Sequence, residues 1–151
     1  MRKAPWWYRW LFNIYPPYLG AGVKIDFISA DFRYVKVSMK LTWYNRNYVG
    51  TQFGGSLYSM VDPFYMLMIM RNLGRDYVVW DKSATINFIS PGTGKVHCEC
   101  KIDEALLAEI RHHTANGEKY LPSFQLKILD SQGKTVATVD KVVYIRRKQR
   151  Q

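Results

Sequence analysis

The sequence predicts an α+β fold, a single two-layer domain with one long helix lying against an antiparallel sheet. Residues 53–72 are the one long helical candidate, and they are apolar nearly all round, the pattern of a helix that is buried. Four strand-like segments follow in succession, and their tight connections favour antiparallel pairing. A chain of 151 residues fits one domain. At that length about two thirds of the unfolded surface is buried, enough for a core without staples.

Residues 5–14 read as a short helix, opened by Pro5 and ended by Pro16 and Pro17. Trp6, Trp7, Trp10, Leu11 and Ile14 recur at helical spacing, which predicts that this face packs on the domain. The alternative is a helix lying on a membrane surface, given Arg2, Lys3 and Arg9 nearby. Residues 22–29 and 32–44 read as strands. In the second, Val35, Val37, Met39, Leu41 and Trp43 alternate with polar neighbours. Residues 45–50 form a loop.

After the central helix, Asn72, Leu73 and Gly74 supply a stop. Residues 77–90 form a strand ending at Ser90-Pro91-Gly92, and 95–102 form another. Residues 103–115 read as either a short helix or an irregular excursion. Residues 121–129 and 135–145 close the domain as a hairpin around Asp130-Ser131-Gln132-Gly133. The organisation expected is a helical extension over 1–20 packed on the domain, a main domain over 21–146, and a frayed basic tail over 147–151.

The formal charge of +10, from 22 Lys and Arg against 12 Asp and Glu, favours anionic partners. Nucleic-acid modules set aromatics on an exposed strand face beside Lys or Arg. Here most aromatics fall on helical or core-facing positions, so no nucleic-acid partner is expected. The run at 53–70 carries Asp62, Pro63 and two glycines, which argues against a membrane span. No secretory signal is visible, and the expected location is cytoplasmic.

Cys98 and Cys100 lie two apart in one strand and are poorly placed to bridge each other. They read as small core residues rather than metal ligands, which suits a reducing compartment. Around His97, His112 and His113 no carboxylate or cysteine sits at a zinc-ligand spacing, so no metal is expected.

The chemistry concentrates in GTQFGGSLYSMVDPFYMLMIM, residues 50–70. In a continuous helix Gly55, Ser59 and Asp62 share one side, with Tyr58, Tyr65 and Met66 beside them. Pro63 leaves the Ser59 carbonyl without its N–H partner and bends the helix at Asp62. A buried carboxylate is costly unless paired or partly wet. Gly54 and Gly55 open the helix, where the first amides lack acceptors and the dipole is positive. Such amides hold an anion or a developing oxyanion. The same residues also fit close packing on a sheet and a salt-bridged structural acid.

The pattern Asn47-x-x-Gly50-x-x-Phe53-Gly54-Gly55, followed by Asp62, resembles the hotdog-fold acyl-CoA thioesterases of the phenylacetate-pathway type. The stretches YPPYLGAGVKI, GTQFGGSLYSMVDP and INFISPGTGKV resemble still more closely an uncharacterised thioesterase-like hotdog family. The resemblance spans most of residues 13–145. It implies a curved antiparallel sheet wrapped around the long helix, with domains paired as homodimers or as dimers of dimers and sites at the subunit interface. It implies an acyl thioester as substrate, carried by coenzyme A or by acyl carrier protein and taken here as acyl-CoA, and no further cofactor. Asp62 would then activate water or act as nucleophile, the Gly55 amide would polarise the thioester carbonyl, and Asn47 would orient loop or substrate.

Phe53 stands where that family carries histidine, which disfavours dehydration chemistry and leaves two readings: hydrolysis, or acyl-CoA or lipid binding without turnover. Phe53 would line the acyl pocket with Gly54, Tyr58, Ser59, Tyr65, Met66 and Met70, while Gln52 offers a nearby amide. Thr85 and Asn87 would meet the pantetheine arm or a neighbouring subunit. Lys95, Lys82 and Arg75 would meet the coenzyme phosphates or stand as solvated surface charges. Gly55 and Asp62 lie ~10 Å apart along a helix at 1.5 Å per residue. General base catalysis needs contacts of about 3 Å, so the expected site is composite, with Gly55 from one subunit and Asp62 from its partner.

Overall fold

A computed structural model describes residues 2–149. The elements run α1 (Trp6–Asn13), α2 (Pro16–Ala21), β1 (Val23–Ile28), β2 (Tyr34–Met39), α3 (Gly54–Ser59), α4 (Phe64–Leu73), β3 (Tyr77–Phe88), β4 (Val96–Lys101), α5 (Glu104–His113), β5 (Lys119–Tyr120), β6 (Ser123–Asp130) and β7 (Thr135–Arg147). Seven strands form one antiparallel sheet in the order β1-β2-β4-β6-β7-β3, with β5 also on β7. The sheet curves around α3 and α4, the two parts of the central helix. Met60 from the break between them and Phe64, Met68 and Ile69 from α4 join Val37, Met39, Ile128, Val139 and Ile145 from the sheet in one buried core.

Local chemistry explains where the elements stop. The strand expected over 32–44 ends at Met39 because the buried Asn45 side chain takes over the backbone beyond it. Asn45 Oδ1 accepts from Thr42 N at 2.8 Å, and its Nδ2 donates to Lys40 O at 2.8 Å and Ala21 O at 3.3 Å. Trp43, expected inward, is therefore exposed on the loop. The excursion at 103–115 is a helix, since Asp103 caps α5 by accepting from Leu106 N at 2.8 Å. The hairpin between β6 and β7 closes on Asp130, whose Oδ1 accepts from Gln132 N and Lys134 N at 2.9 Å each.

Cys98 and Cys100 lie in the core. His97 sits on β4, and His113 stacks on Tyr120. The basic tail begins later than expected: Arg146 and Arg147 belong to β7, and Lys148 bonds to the 75–76 turn through both Nζ and backbone N. Arg150 and Gln151 lie outside the described residues.

The N-terminal helix forms as expected but packs through the opposite side. Tyr8 and Phe12 meet the core, with Tyr8 edge-on to the Phe32 ring at 4.9 Å. Trp6, Trp7, Trp10, Leu11 and Ile14 face outward.

The two ends of the sheet differ. Residues 2–4 run along β1 and take part of its free edge, through Ala4 N to Ile28 O at 2.8 Å and Ala30 N to Arg2 O at 2.9 Å. At the other end β3 borders only β7 and is open along its outer side. Among the described residues no helix is long and apolar enough to cross a membrane.

Candidate functional site

The loop before α3 is tied to itself. Asn47 Oδ1 accepts from Thr51 N at 2.9 Å, and Asn47 Nδ2 donates to Thr51 Oγ1 at 2.9 Å. Gly50 turns the chain at φ 85°, a left-handed value that favours glycine. Buried Gln52 fixes the loop to the 92–94 turn, its N–H on Gly92 O at 2.9 Å and its Nε2 on Gly94 O at 3.0 Å. The Gln52 amide nitrogen is thus spent on structure.

Phe53 is the residue before the first helical turn, and Leu57 N–H is the first to reach an acceptor, Phe53 O at 3.0 Å. The amides of Gly54, Gly55 and Ser56 precede it and have no acceptor within the helix. Gly54 borders a groove of about 420 Å³ that is also lined by Asn47, Thr51, Gln52, Leu57 and residues 88–92. Both glycines let a Phe ring approach the backbone closely. A Cβ on Gly54 would stand 2.8 Å from the Phe88 ring, and one on Gly55 would stand 2.6 Å from the Phe53 ring.

Asp62 lies where the central helix breaks. Pro63 cannot donate to the Ser59 carbonyl, α3 ends at Ser59, and α4 restarts at Phe64. The Ser59 hydroxyl turns back onto Gly55 O at 2.8 Å. Beneath the break lies Lys141 of β7, fully buried at 0 % side-chain exposure, in the inward row with Val139 and Val143. Its Nζ meets Asp81 Oδ2 at 2.8 Å and Asp62 Oδ1 at 3.4 Å. The Asp62 side chain remains 47 % exposed.

Burial pushes the Asp81 carboxyl above its usual range, and Lys141 opposes that shift. Tyr58 lies in the same cluster, its ring 5.9 Å from Lys141 Nζ. Its hydroxyl is pushed up first by burial and then by the Asp62 carboxylate. The arrangement holds an acid in a set direction, at a helix break, with one side open to water.

One family model, described as a domain of unknown function (DUF4442), matches residues 5–145. The chain belongs to the DUF4442 family. No curated protein matches the sequence. Among solved structures, the DUF4442 chain is similar to a protein of unknown function from Pseudomonas aeruginosa described as a probable thioesterase, at 19 % identity and a TM-score of 0.81, covering 97 % of this chain and 98 % of that one. It is similar to a thioesterase from Haemophilus influenzae at 12 % identity and a TM-score of 0.67, covering 93 % and 89 %. It is also similar to the E. coli PaaI protein of the phenylacetic acid degradation operon, at 16 % identity and a TM-score of 0.60, covering 95 % and 93 %. The DUF4442 domain thus has the hotdog fold expected from its sequence.

Within that domain the expected site residues separate into groups. Asn47 and Gly54 border the groove. Phe53 and Gly55 stand beside it, the Phe53 ring over the Gly55 Cα. Asp62 and Tyr58 gather around Lys141 instead. Tyr65 is drawn off into the core, stacked on Phe124 at 4.1 Å, and does not line the groove. Met66 is half-buried against the core.

Thr85 and Asn87 pair with Asp140 and Thr138 of β7, on the sheet face turned away from the helix. Ala84, Ile86 and Phe88 face inward instead, opposite buried Lys141, Val139 and Ala137. Lys95 lines a different groove with Lys24, Lys40 and Leu19, beside α2. Among the described residues no Lys or Arg lines the groove at Gly54, so neither Lys82 nor Arg75 reaches it within one chain.

Lys141 and Asp81 were not singled out from the sequence. The signal was present: Lys141 interrupts the inward row Ala137, Val139, Val143, Ile145 at a position where alternation calls for an apolar residue.

Proposed function

We propose that this protein hydrolyses an acyl thioester of coenzyme A, with Asp62 as the general base. Asp62 takes a proton from water, the hydroxide adds to the thioester carbonyl, and the oxyanion is met by the Gly55 amide. Collapse of that adduct breaks the C–S bond, and the thiolate takes back the proton held by Asp62, so that the coenzyme leaves as its thiol. One observation carries the assignment. A fully buried lysine stands 3.4 Å from Asp62 Oδ1, yet the carboxylate stays half open to water at a helix break.

Gly55 and Asp62 stand seven residues apart and belong to different neighbourhoods of one chain, so the reading requires a second copy. The open side of β3 supports it. A strand of 12 residues at a sheet edge, with Trp80 and Phe88 exposed on it, is a template for pairing. In a homodimer built there, alone or within a dimer of dimers, each groove faces the partner's acid, and the partner supplies the cations that the groove lacks.

A second reading has its own support. The Phe53 ring, 54 % exposed, covers the Gly55 face at the position of the family histidine. A site altered in that way binds acyl-CoA or a lipid without turning it over.

Incubation with a panel of acyl-CoA thioesters, followed by release of free thiol, separates the two. Hydrolysis is expected, and Asp62→Asn should slow it by about 100-fold or more. Thiol release by Asp62→Asn at the parent rate would remove Asp62 from the mechanism. Stoichiometric acyl-CoA retention without thiol release would establish the binding reading instead.

A further inference from the structure

The helix α1 has two apolar sides and only one of them is covered. Tyr8 and Phe12 dock on the core, while Trp6, Trp10, Leu11 and Ile14 form a separate stripe that faces solvent. On a helical wheel that stripe spans roughly 140°, at 100° per residue, and lies opposite Tyr8 and Phe12. Trp6 is 75 % exposed and Trp10 56 %. Tyr15 and Leu19 extend the exposed apolar surface toward and into α2.

The charges around the stripe are mostly positive. Residues 1–25 contain Arg2, Lys3, Arg9 and Lys24 and no Asp or Glu. Lys3 and Arg9 line a hollow with Trp6, and Lys24, Lys40 and Lys95 line the groove that includes Leu19. Asp26 is the one carboxylate lining either hollow. Arg9 reaches only its backbone, donating from Nη1 to Asp26 O at 3.3 Å. Among the described residues neither Lys3 nor Arg9 takes part in an ion pair.

We infer that α1 and α2 seat this protein on an anionic phospholipid bilayer, with the Trp6–Trp10 stripe entering the interface and the surrounding Lys and Arg meeting headgroup phosphates. Indole rings favour the interface because they combine an apolar body with an N–H that needs a polar partner. Apolar burial and attraction to anionic headgroups act together there, as in a helix that lies in the plane of the interface. A second copy fits the stripe less well. A two-fold contact opposes each surface to itself, which would set an excess of Arg and Lys against the same excess, with Asp26 the carboxylate beside them. The inference stands whether or not the groove at Gly54 carries out hydrolysis.

Co-sedimentation of the full chain with phosphatidylcholine–phosphatidylserine vesicles tests this, with pure phosphatidylcholine vesicles as the neutral surface. Binding to the serine-containing vesicles is expected to be the tighter. It should weaken as salt rises from about 0.1 M to about 1 M, since the screening length falls from about 10 to about 3 Å. The variant Trp6→Ser, Trp10→Ser should lose about tenfold or more in partitioning. Both positions are exposed, and Trp7, which stacks on Tyr8 at 3.8 Å, is left alone so that docking on the core is kept. Circular dichroism that matches the parent establishes that the variant is folded. Equal retention of variant and parent overturns the inference, as does equal binding to charged and neutral vesicles. It is also overturned if the variant has a smaller assembly mass than the parent by analytical ultracentrifugation without vesicles, because the stripe would then be a contact between copies.

Discussion

Replacing Lys141 by Met tests whether the charge under the helix break is balanced chiefly by Asp81. Met preserves most of the length and volume of the buried stem, so packing between Val139 and Val143 changes little. What is lost is the ammonium at 2.8 Å from Asp81 and 3.4 Å from Asp62. Removing one partner of a buried pair costs about 3–5 kcal/mol, because the other charge is left uncompensated. Asp81 is 22 % exposed, which places the expected cost near the low end, about 3 kcal/mol. Asp62 is 47 % exposed and turns to water, adding little. For a chain of this size the loss lowers Tm by roughly 6–12 °C.

The pH dependence gives the argument its sign. Burial already raises the Asp81 carboxyl in the folded protein, and Lys141 is what holds it down. In Lys141→Met the folded-state value rises further, so the folded protein binds the proton more tightly than the unfolded chain does. Stability then falls as pH climbs from the ordinary carboxylate value of about 4 through the raised one, and the deficit against the parent is larger at neutral pH than in mild acid. Urea unfolding of parent and variant between mild acid and neutral pH, followed by circular dichroism, measures this. Adding Asp81→Asn to Lys141→Met should return more than half of the loss, since replacing both members of a buried pair is close to neutral. A deficit that does not change with pH, or a double variant no more stable than Lys141→Met, would refute the assignment of the cost to Asp81.

Two further outcomes follow from buried groups. Asn45→Ala should destabilise by about 2–3 kcal/mol in the same unfolding assay, because Thr42 N, Lys40 O and Ala21 O all lose their side-chain partner in a buried setting. Cys98 and Cys100 are buried thiols, so a disulfide reagent should label neither in the native protein and both after unfolding in urea. Rapid labelling of the native protein would place at least one of them at the surface.

The long central helix was legible because its signals are local. An apolar run and a proline dictate burial and a break regardless of what packs against them, and both appear at Asp62. The N-terminal helix was legible as a helix but not in its orientation. Periodicity places Trp6, Trp10 and Ile14 on one side and Tyr8 and Phe12 on the other, yet both sides are apolar. The covered side is decided by a neighbour remote in sequence, Phe32, against which Tyr8 fits edge-on. The role of Asn45 was hidden for a related reason: a loop asparagine looks alike whether its side chain faces water or replaces three backbone bonds.

The arrangement around Lys141 depends on a feature that no residue pattern announced. Asp81 and Phe88 have opposite parity in β3, so in a regular strand they would face opposite sides of the sheet. They share the inner face because the register with β7 slips between Asp81 and Ser83: Asp81 stands opposite Val143, Ala84 opposite Lys141, and Phe88 opposite Ala137. The extra residue, Lys82, is exposed. One inserted residue thus turns both the acid that balances Lys141 and the ring that walls the groove at Gly54 toward the helix. The same slip turns Thr85 and Asn87 outward. The parity that faces the helix thus changes part-way along β3. A change of parity inside one strand leaves no mark in the residue pattern, which is why Asp81 was not singled out.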